Sequence, residues 1–267
     1  MNTSANGNTL HAGVIGLGQI GGGVAICLAR KQRPLAVYDV RPEAAGKLDG
    51  VPAPQSSPAE VARASDVVMI AVLNAEQARA VLEGPDGILA GAHPGLTLVL
   101  LSTISLDELR DIEALVRKKG IALLDCGVTG GPLADQGGLV CMIGGENGEV
   151  ARVMPVLEDF SAEVHHMGQS GAGMATKIAR NMIHFTVWRA GFEGAKLATR
   201  AGVDLGKFID LVERASQNPG ASVTTWMDAD RVAGAERMTS DPRELRKMTL
   251  GLQQKDLDAA RELADQR

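Results

Sequence analysis

The sequence is poor in aromatic side chains, which make up 3% of its 267 residues, and has no excess of positive charge, its formal balance being −5. Few aromatics means little surface for stacking nucleobases, and a net negative chain lacks the basic face that nucleic acid or an anionic membrane surface attracts; neither is expected as a partner. No apolar run reaches the roughly 18 residues of a membrane-spanning helix. Cysteine is rare. Cys27, Cys126 and Cys141 are an odd number, form no CxxC pair and sit among apolar residues, which argues against a disulfide scaffold and for small buried hydrophobes in a reducing compartment. No His/Cys/Asp cluster offers a metal site, so none is expected. The polar stretch Met1 to Asn8 has neither the basic nor the apolar region of a signal peptide, and residues 1–10 read as a loose extension. A cytoplasmic location follows from these absences.

What is abundant is glycine, 32 residues, in a chain that is 45% hydrophobic and 22% charged. That is a globular composition suited to close helix–sheet packing, at a length that fits two domains of unequal size. Strands and helices alternate in the first part. Residues 12–17 form a short apolar run, and Ile20, Val24 and Leu28 then recur at helical spacing. Further strands are expected at 35–38, 67–73, 96–101, 121–124 and 139–143, with His165 and His166 ending another. Ser57 with Glu60, and Ser105 with Glu108, have capping-box spacing and open helices. From about Gly171 the strand signals stop, and helices are expected at 174–201, 205–215 and from Arg243 onward. The implied fold is α/β: a Rossmann-type doubly wound sheet in residues 1–170, followed by an all-helical domain in 171–267 that begins with a long interdomain helix.

Gly16-Leu17-Gly18-Gln19-Ile20-Gly21 is a G-x-G-x-x-G between a strand and a helix. The first glycine permits the tight turn, the second lets backbone approach a pyrophosphate, and the third lets helix and strand pack closely. The phosphates would then rest on free N–H groups at the helix start. Such a run is often only a turn, but here Asp39 ends the next strand, 18 positions after Gly21, near the spacing of a carboxylate that binds the adenosine ribose. A carboxylate there repels a 2′-phosphate and favours NAD; Arg41, two residues on, leaves NADP open. Gly22 and Gly23 extend the run into the helix at a cost of up to about 1 kcal/mol each, pointing to a close approach of unspecified kind.

Lys177 and Asn181 are four apart and share a helix face. A helix lysine is ordinarily a solvated surface charge. The alternative is a lysine held in a cleft, where burial lowers its pKa and fits it for proton transfer.

At these residues the sequence resembles the β-hydroxyacid dehydrogenase family, and four blocks match in order. They are Gly16 to Gly21; Asp125-Cys126-Gly127-Val128-Thr129-Gly130-Gly131, similar to a substrate-binding D-A-P-V-S-G-G; Gly168 to Asn181, similar to G-x-x-G-x-G-x-x-x-K-x-x-x-N; and Lys255-Asp256-Leu257. The resemblance implies Lys177 as general acid/base and Asn181 as its helper at the substrate. It implies Thr129, Gly130 and Gly131 as the seat of a substrate carboxylate. Leu73, Asn74, Ser102 and Thr103 would contact the ribose and nicotinamide, and Lys255 would lie on the nicotinamide side. It also implies a small 3-hydroxy acid or its semialdehyde as substrate, NAD more than NADP as cofactor, and a homodimer or homotetramer. Thr129 to Gly131 also suits an ordinary turn, and Lys255-Asp256 a solvated pair; His165 and His166 match no block and read as structural or surface residues.

Four departures stand out. Thr129 replaces the family's serine, Arg180 stands where an asparagine is common, Ile104 follows Ser102-Thr103 where a proline is common, and the sequence stops soon after Lys255. The expected reaction is reversible oxidation of a 3-hydroxy carboxylate. The competing readings are an imine reductase on the same scaffold, whose members generally lack the lysine, a phosphogluconate dehydrogenase, which has a far longer helical domain, and a catalytically silent dinucleotide binder.

Overall fold

The computed structural model describes residues 9–217, 254–261 and 263–265. The expected loose stretch at residues 1–8, and the expected helix between 243 and 253, lie outside these. The described chain forms two compact units, divided between Met182 and Ile183.

In the first unit, β1 (Ala12–Ile15), α1 (Gln19–Arg30), β2 (Leu35–Tyr38), α2 (Pro58–Arg63) and β3 (Val67–Ile70) lead to α3 (Ala75–Leu82), α4 (Ile88–Gly91), β4 (Thr97–Leu100) and α5 (Leu106–Arg117). Then come β5 (Ala122–Thr129), β6 (Leu139–Gly144), α6 (Asn147–Leu157), β7 (Ser161–Gly168) and the long α7 (Ala172–Arg200). The strands form one seven-stranded sheet in the order β2-β1-β3-β4-β5-β6-β7, the doubly wound Rossmann-type arrangement expected. Every neighbouring pair is parallel except β5 and β6. Their connection, residues 130–138, is shorter than the dozen or so residues a parallel crossover needs, so β6 turns back along β5.

Both faces of the sheet are covered, as the all-apolar β3 requires. Val67 and Met69 point into a core with Val24 and Leu28 of α1 and Val153 and Leu157 of α6. Val68 and Ile70 point into a second core with Val61 of α2, Leu82 of α3 and Leu109 and Ile112 of α5. The three cysteines are free and buried, all in the first of these cores.

Several strands are shorter than their apolar runs. β1 ends at Ile15, β3 at Ile70 and β4 at Leu100, and the residues beyond them turn away to shape the site. Helix α6 carries Pro155 inside it and has no counterpart in the sequence reading; a proline is locally a breaker. The capping box of α5 forms fully. That of α2 is displaced: Ser57 accepts from the Glu60 N–H, but the Glu60 carboxylate takes the backbone N–H and hydroxyl of Ser56 rather than the N–H of Ser57.

The second unit contains the rest of α7, α8 (Leu205–Ser216) and a helical segment at 254–261. Among the described residues no helix is long and apolar enough to cross a membrane.

Candidate active site

The order of the strands reverses between β1 and β3, and the crevice at the carboxyl ends of such a pair is where open α/β sheets bind ligands. Gly16 follows β1 with φ +89°, a conformation natural only to glycine. A Cβ on Gly21 would collide with the Gly16 carbonyl, whereas one on Gly18 would meet nothing within 4 Å. The three glycines thus divide the work as the motif requires: one turns, one leaves room for a pyrophosphate, one packs. Gly23 has a different reason. A Cβ on it would come within 2.6 Å of the Ala134 backbone, so at this position α1 packs directly on the 3-10 turn Gly131–Gln136.

Asp39 is buried and well bound. Its Oδ2 accepts from the Leu17 N–H at 2.7 Å, and its Oδ1 from the Arg41 N–H at 2.9 Å and Arg41 Nε at 3.0 Å. Burial pushes this carboxyl up, but the Arg41 guanidinium and the two backbone N–H groups outweigh it and hold the pKa below the ordinary carboxylate value. Gly16, Gly18, Asp39, Arg41 and Leu73 line one cleft of about 540 Å³. Its size, and an ionised carboxylate hydrogen-bonded to a bare glycine loop, suit a dinucleotide.

Of the remaining residues expected to contact the cofactor, Leu73 is 84% exposed at the cleft. Asn74 caps α3 by accepting from the Gln77 N–H. Ser102 is buried, its hydroxyl accepting from the Val72 N–H and donating to the Val72 carbonyl, so it ties the end of β4 to the segment after β3. Thr103 beside it is exposed.

The lysine is held by β5. Asp125 is fully buried in mid-strand, and its carboxylate accepts from the Gly171 N–H at 2.7 Å and the Met174 N–H at 2.6 Å. It therefore caps α7, where a negative charge also suits the helix dipole. A Cβ on Gly173 would lie 2.7 Å from the Asp125 carbonyl, and one on Gly127 would overlap the Lys177 Cβ. Two glycines thus let α7 lie against β5 with Lys177 over Gly127. Lys177 is only 9% exposed. Burial, and the nearby positive charge of Arg180, lower its pKa from the ordinary lysine value. Asn181 is half-buried and takes a long 3.5 Å hydrogen bond from Arg180 Nη1.

Thr129 ends β5 on the same face as Asp125 and Gly127, by the two-residue period of a strand. Gly130 follows at φ +90°, and a Cβ there would lie 2.5 Å from the Gly138 carbonyl. Gly131 faces α1: a Cβ on it would lie 3.4 Å from the Ile20 side chain and 3.7 Å from that of Gln19. The Thr129-Gly130-Gly131 turn therefore sits between the glycine loop and the lysine, and one unit brings all three blocks together. Lys255 lies in the second unit, exposed and 3.3 Å from Asp256 Oδ1. His165 pairs with Glu163 at the surface, and the His166 Nε2 is 2.9 Å from the carbonyls of Gly145 and Gly168. Among the described residues no group of three His, Cys, Asp or Glu is placed to hold a metal.

The family resemblance placed Asp125, Gly127 and Gly173 in its blocks, but sequence reasoning gave none of them a part of its own. The available signal was a lone carboxylate inside the apolar run Leu123-Leu124-Asp125-Cys126, which must be satisfied by something if buried.

Comparison with known proteins agrees with this fold. A family model of the NAD binding domain of 6-phosphogluconate dehydrogenase matches residues 11–168, and one of the NAD-binding region of NADP-dependent 3-hydroxyisobutyrate dehydrogenase matches residues 171–267. An oxidoreductase of Mycobacterium tuberculosis is 31% identical over 98% of this chain and 88% of its own length. An L-threonate dehydrogenase of Escherichia coli is 30% identical over 85% and 74%. The solved 3-hydroxyisobutyrate dehydrogenase of M. tuberculosis with L-serine is 27% identical, with a TM-score of 0.70 over 96% of this chain and 92% of that one.

Proposed function

The chain belongs to the β-hydroxyacid dehydrogenase family, NAD(P)-dependent oxidoreductases, and on that premise we propose that it reversibly oxidises a small 3-hydroxy carboxylate to its semialdehyde with Lys177 as general acid/base. The observation that carries this is a lysine 9% exposed with neither a hydrogen bond nor an ion pair among the described residues. Buried lysines are ordinarily paired; an unpaired one with a depressed pKa is a functional candidate.

In this reading Gly16 to Gly21 and Asp39 hold the dinucleotide, with Leu73, Asn74, Ser102 and Thr103 shaping the crevice beside it. The bound nicotinamide supplies the hydride acceptor. Thr129, Gly130 and Gly131 seat the substrate carboxylate and so fix the carbinol carbon. Neutral Lys177 takes the hydroxyl proton as the C–H bond breaks, and in the reverse direction its ammonium returns that proton to the alkoxide oxygen. Asn181 orients the same hydroxyl. L-threonate and L-serine, in the names of two relatives, are both carboxylates with a hydroxyl on the third carbon, which supports the substrate class. The ionised, Arg41-paired Asp39 favours NAD over NADP. The same reading assigns residues 1–170 to cofactor binding and 171–267 to substrate binding and assembly into a cytoplasmic homodimer or homotetramer. An imine reductase or a silent binder has no use for the buried lysine.

The test is Lys177→Met, assayed with 3-hydroxyisobutyrate, 3-hydroxypropionate, glycerate and L-threonate, each with NAD and NADP. Loss of general acid/base assistance lowers kcat/KM by about 10²–10⁴-fold, while NADH affinity measured by fluorescence titration stays within about twofold. Undiminished turnover by the variant refutes the assignment.

A further inference from the structure

Helix α7 climbs β5 in step with it. Gly173 packs at the level of Asp125 and Lys177 at the level of Gly127. Four helix residues rise about 6 Å and two strand residues about 6.6 Å, so the next turn of α7, carrying Arg180 and Asn181, comes level with Thr129. Arg180 is half-buried. Its one hydrogen bond among the described residues is the 3.5 Å contact to Asn181, and no described carboxylate pairs with it. A guanidinium with no counterion, one helical turn from a second basic group, is unfavourable in a partly buried site unless an anion joins it.

We propose that Arg180 is a specificity-determining residue of this enzyme, its guanidinium gripping the substrate's single carboxylate from the side opposite the Thr129-Gly130-Gly131 turn. The inference rests on the reading of that turn and of Lys177 given above. The flat guanidinium fork presents paired donors that match a carboxylate's two oxygens, complementing the backbone N–H groups of the turn. The charge count selects one anion. With Lys177 neutral as proton acceptor, the permanent charge facing the substrate is the one on Arg180, which a monocarboxylate balances and a dicarboxylate overshoots. The preferred substrate class is therefore a hydroxy acid with one carboxylate; uncharged hydroxy amides and dianionic hydroxy acids are discriminated against.

The experiment uses the full chain with saturating NAD and compares 3-hydroxypropionate, its neutral amide 3-hydroxypropionamide and the dianion malate. Wild type, Arg180→Gln and Arg180→Lys are measured for KM and kcat, and for 3-hydroxypropionate binding by calorimetry. Arg180→Gln raises KM and Kd for 3-hydroxypropionate by about 10–100-fold, the worth of a charge-assisted pair, with kcat changing less than about threefold. Arg180→Lys recovers part of the loss, and the amide responds equally poorly in all three proteins. An equal loss for acid and amide, an unchanged Kd, or a wild-type preference for malate that vanishes in Arg180→Gln would each overturn the proposal. Failure of the catalytic reading shows elsewhere, as a Lys177→Met variant that still turns over, while the calorimetric effect of Arg180 stands independently of turnover.

Discussion

The nucleotide crevice and the lysine junction are both built around glycines, yet they use them in opposite ways. At Gly18 the missing side chain leaves a space open within 4 Å, ready for something from outside. At Gly127 the missing side chain is already filled, by the Cβ and Cγ of Lys177. The titratable groups differ in the same sense. Asp39 is surrounded by donors that hold it ionised, and Lys177 is deprived of acceptors and pushed toward neutrality. In the proposed reading the crevice holds the cofactor and the junction moves a proton.

A matched pair of substitutions breaks this contrast most sharply. In Gly127→Ala the new methyl collides with the root of the Lys177 side chain rather than its flexible end, so α7 or β5 must shift. Overpacking of this kind costs about 1–3 kcal/mol, and a displacement of about 1 Å at a proton-transferring group lowers activity about 100-fold. The expected outcome is a lower melting temperature and a kcat fall of about two orders of magnitude, with NADH affinity retained. Gly18→Ala reverses the pattern: its backbone, at φ −74°, accepts alanine, so melting temperature holds while NADH affinity drops. Thermal denaturation and fluorescence titration of the two variants decide the matter. Equal effects on both measurements would mean the two regions are not separable.

A smaller effect is expected within the crevice itself. Asp39→Asn keeps an acceptor for the Leu17 N–H but removes the charge that pairs with Arg41 and repels a 2′-phosphate. NAD affinity falls about tenfold, roughly the worth of a charged hydrogen bond, and the ratio of NADP to NAD turnover rises, with Arg41 freed for the phosphate. An unaltered cofactor ratio would remove Asp39 from the discrimination.

The crevice was far more legible in the sequence than the junction, for a physical reason. The glycine loop, its flanking strand and helix, and Asp39 are close in the chain, so spacing alone conveys their geometry. The junction joins residues 46 and 49 positions apart, Asp125 to Gly171 and Met174, and nothing local marks such a partnership. Lys177 on its own read as a surface charge; family resemblance singled it out, and its burial became visible only once Gly127 and Gly173 were seen to admit the helix. Gly23 was equally opaque, because its reason for being glycine lies against Ala134, a contact across more than a hundred residues.

The mildest test is the pH dependence, and it separates the two regions by sign. For Lys177 the folded-state pKa lies below the ordinary 10.5, so the fold disfavours its protonated form. That penalty is present at neutral pH and fades as pH rises from the lowered value to 10.5, where the group is neutral folded or unfolded. For Asp39 the folded pKa lies below the ordinary 3.8. Its contribution is full above that value and is lost as pH falls through the folded pKa. In turnover, kcat/KM for alcohol oxidation rises with pH along a limb whose midpoint is below 10.5, and Arg180→Gln moves that midpoint upward by removing a neighbouring positive charge. In denaturant melts, Lys177→Met flattens only the alkaline side of the stability profile and Asp39→Asn only the acid side. A limb unmoved by the Arg180 substitution would show that the two cations do not sense one another, and that burial alone tunes the lysine.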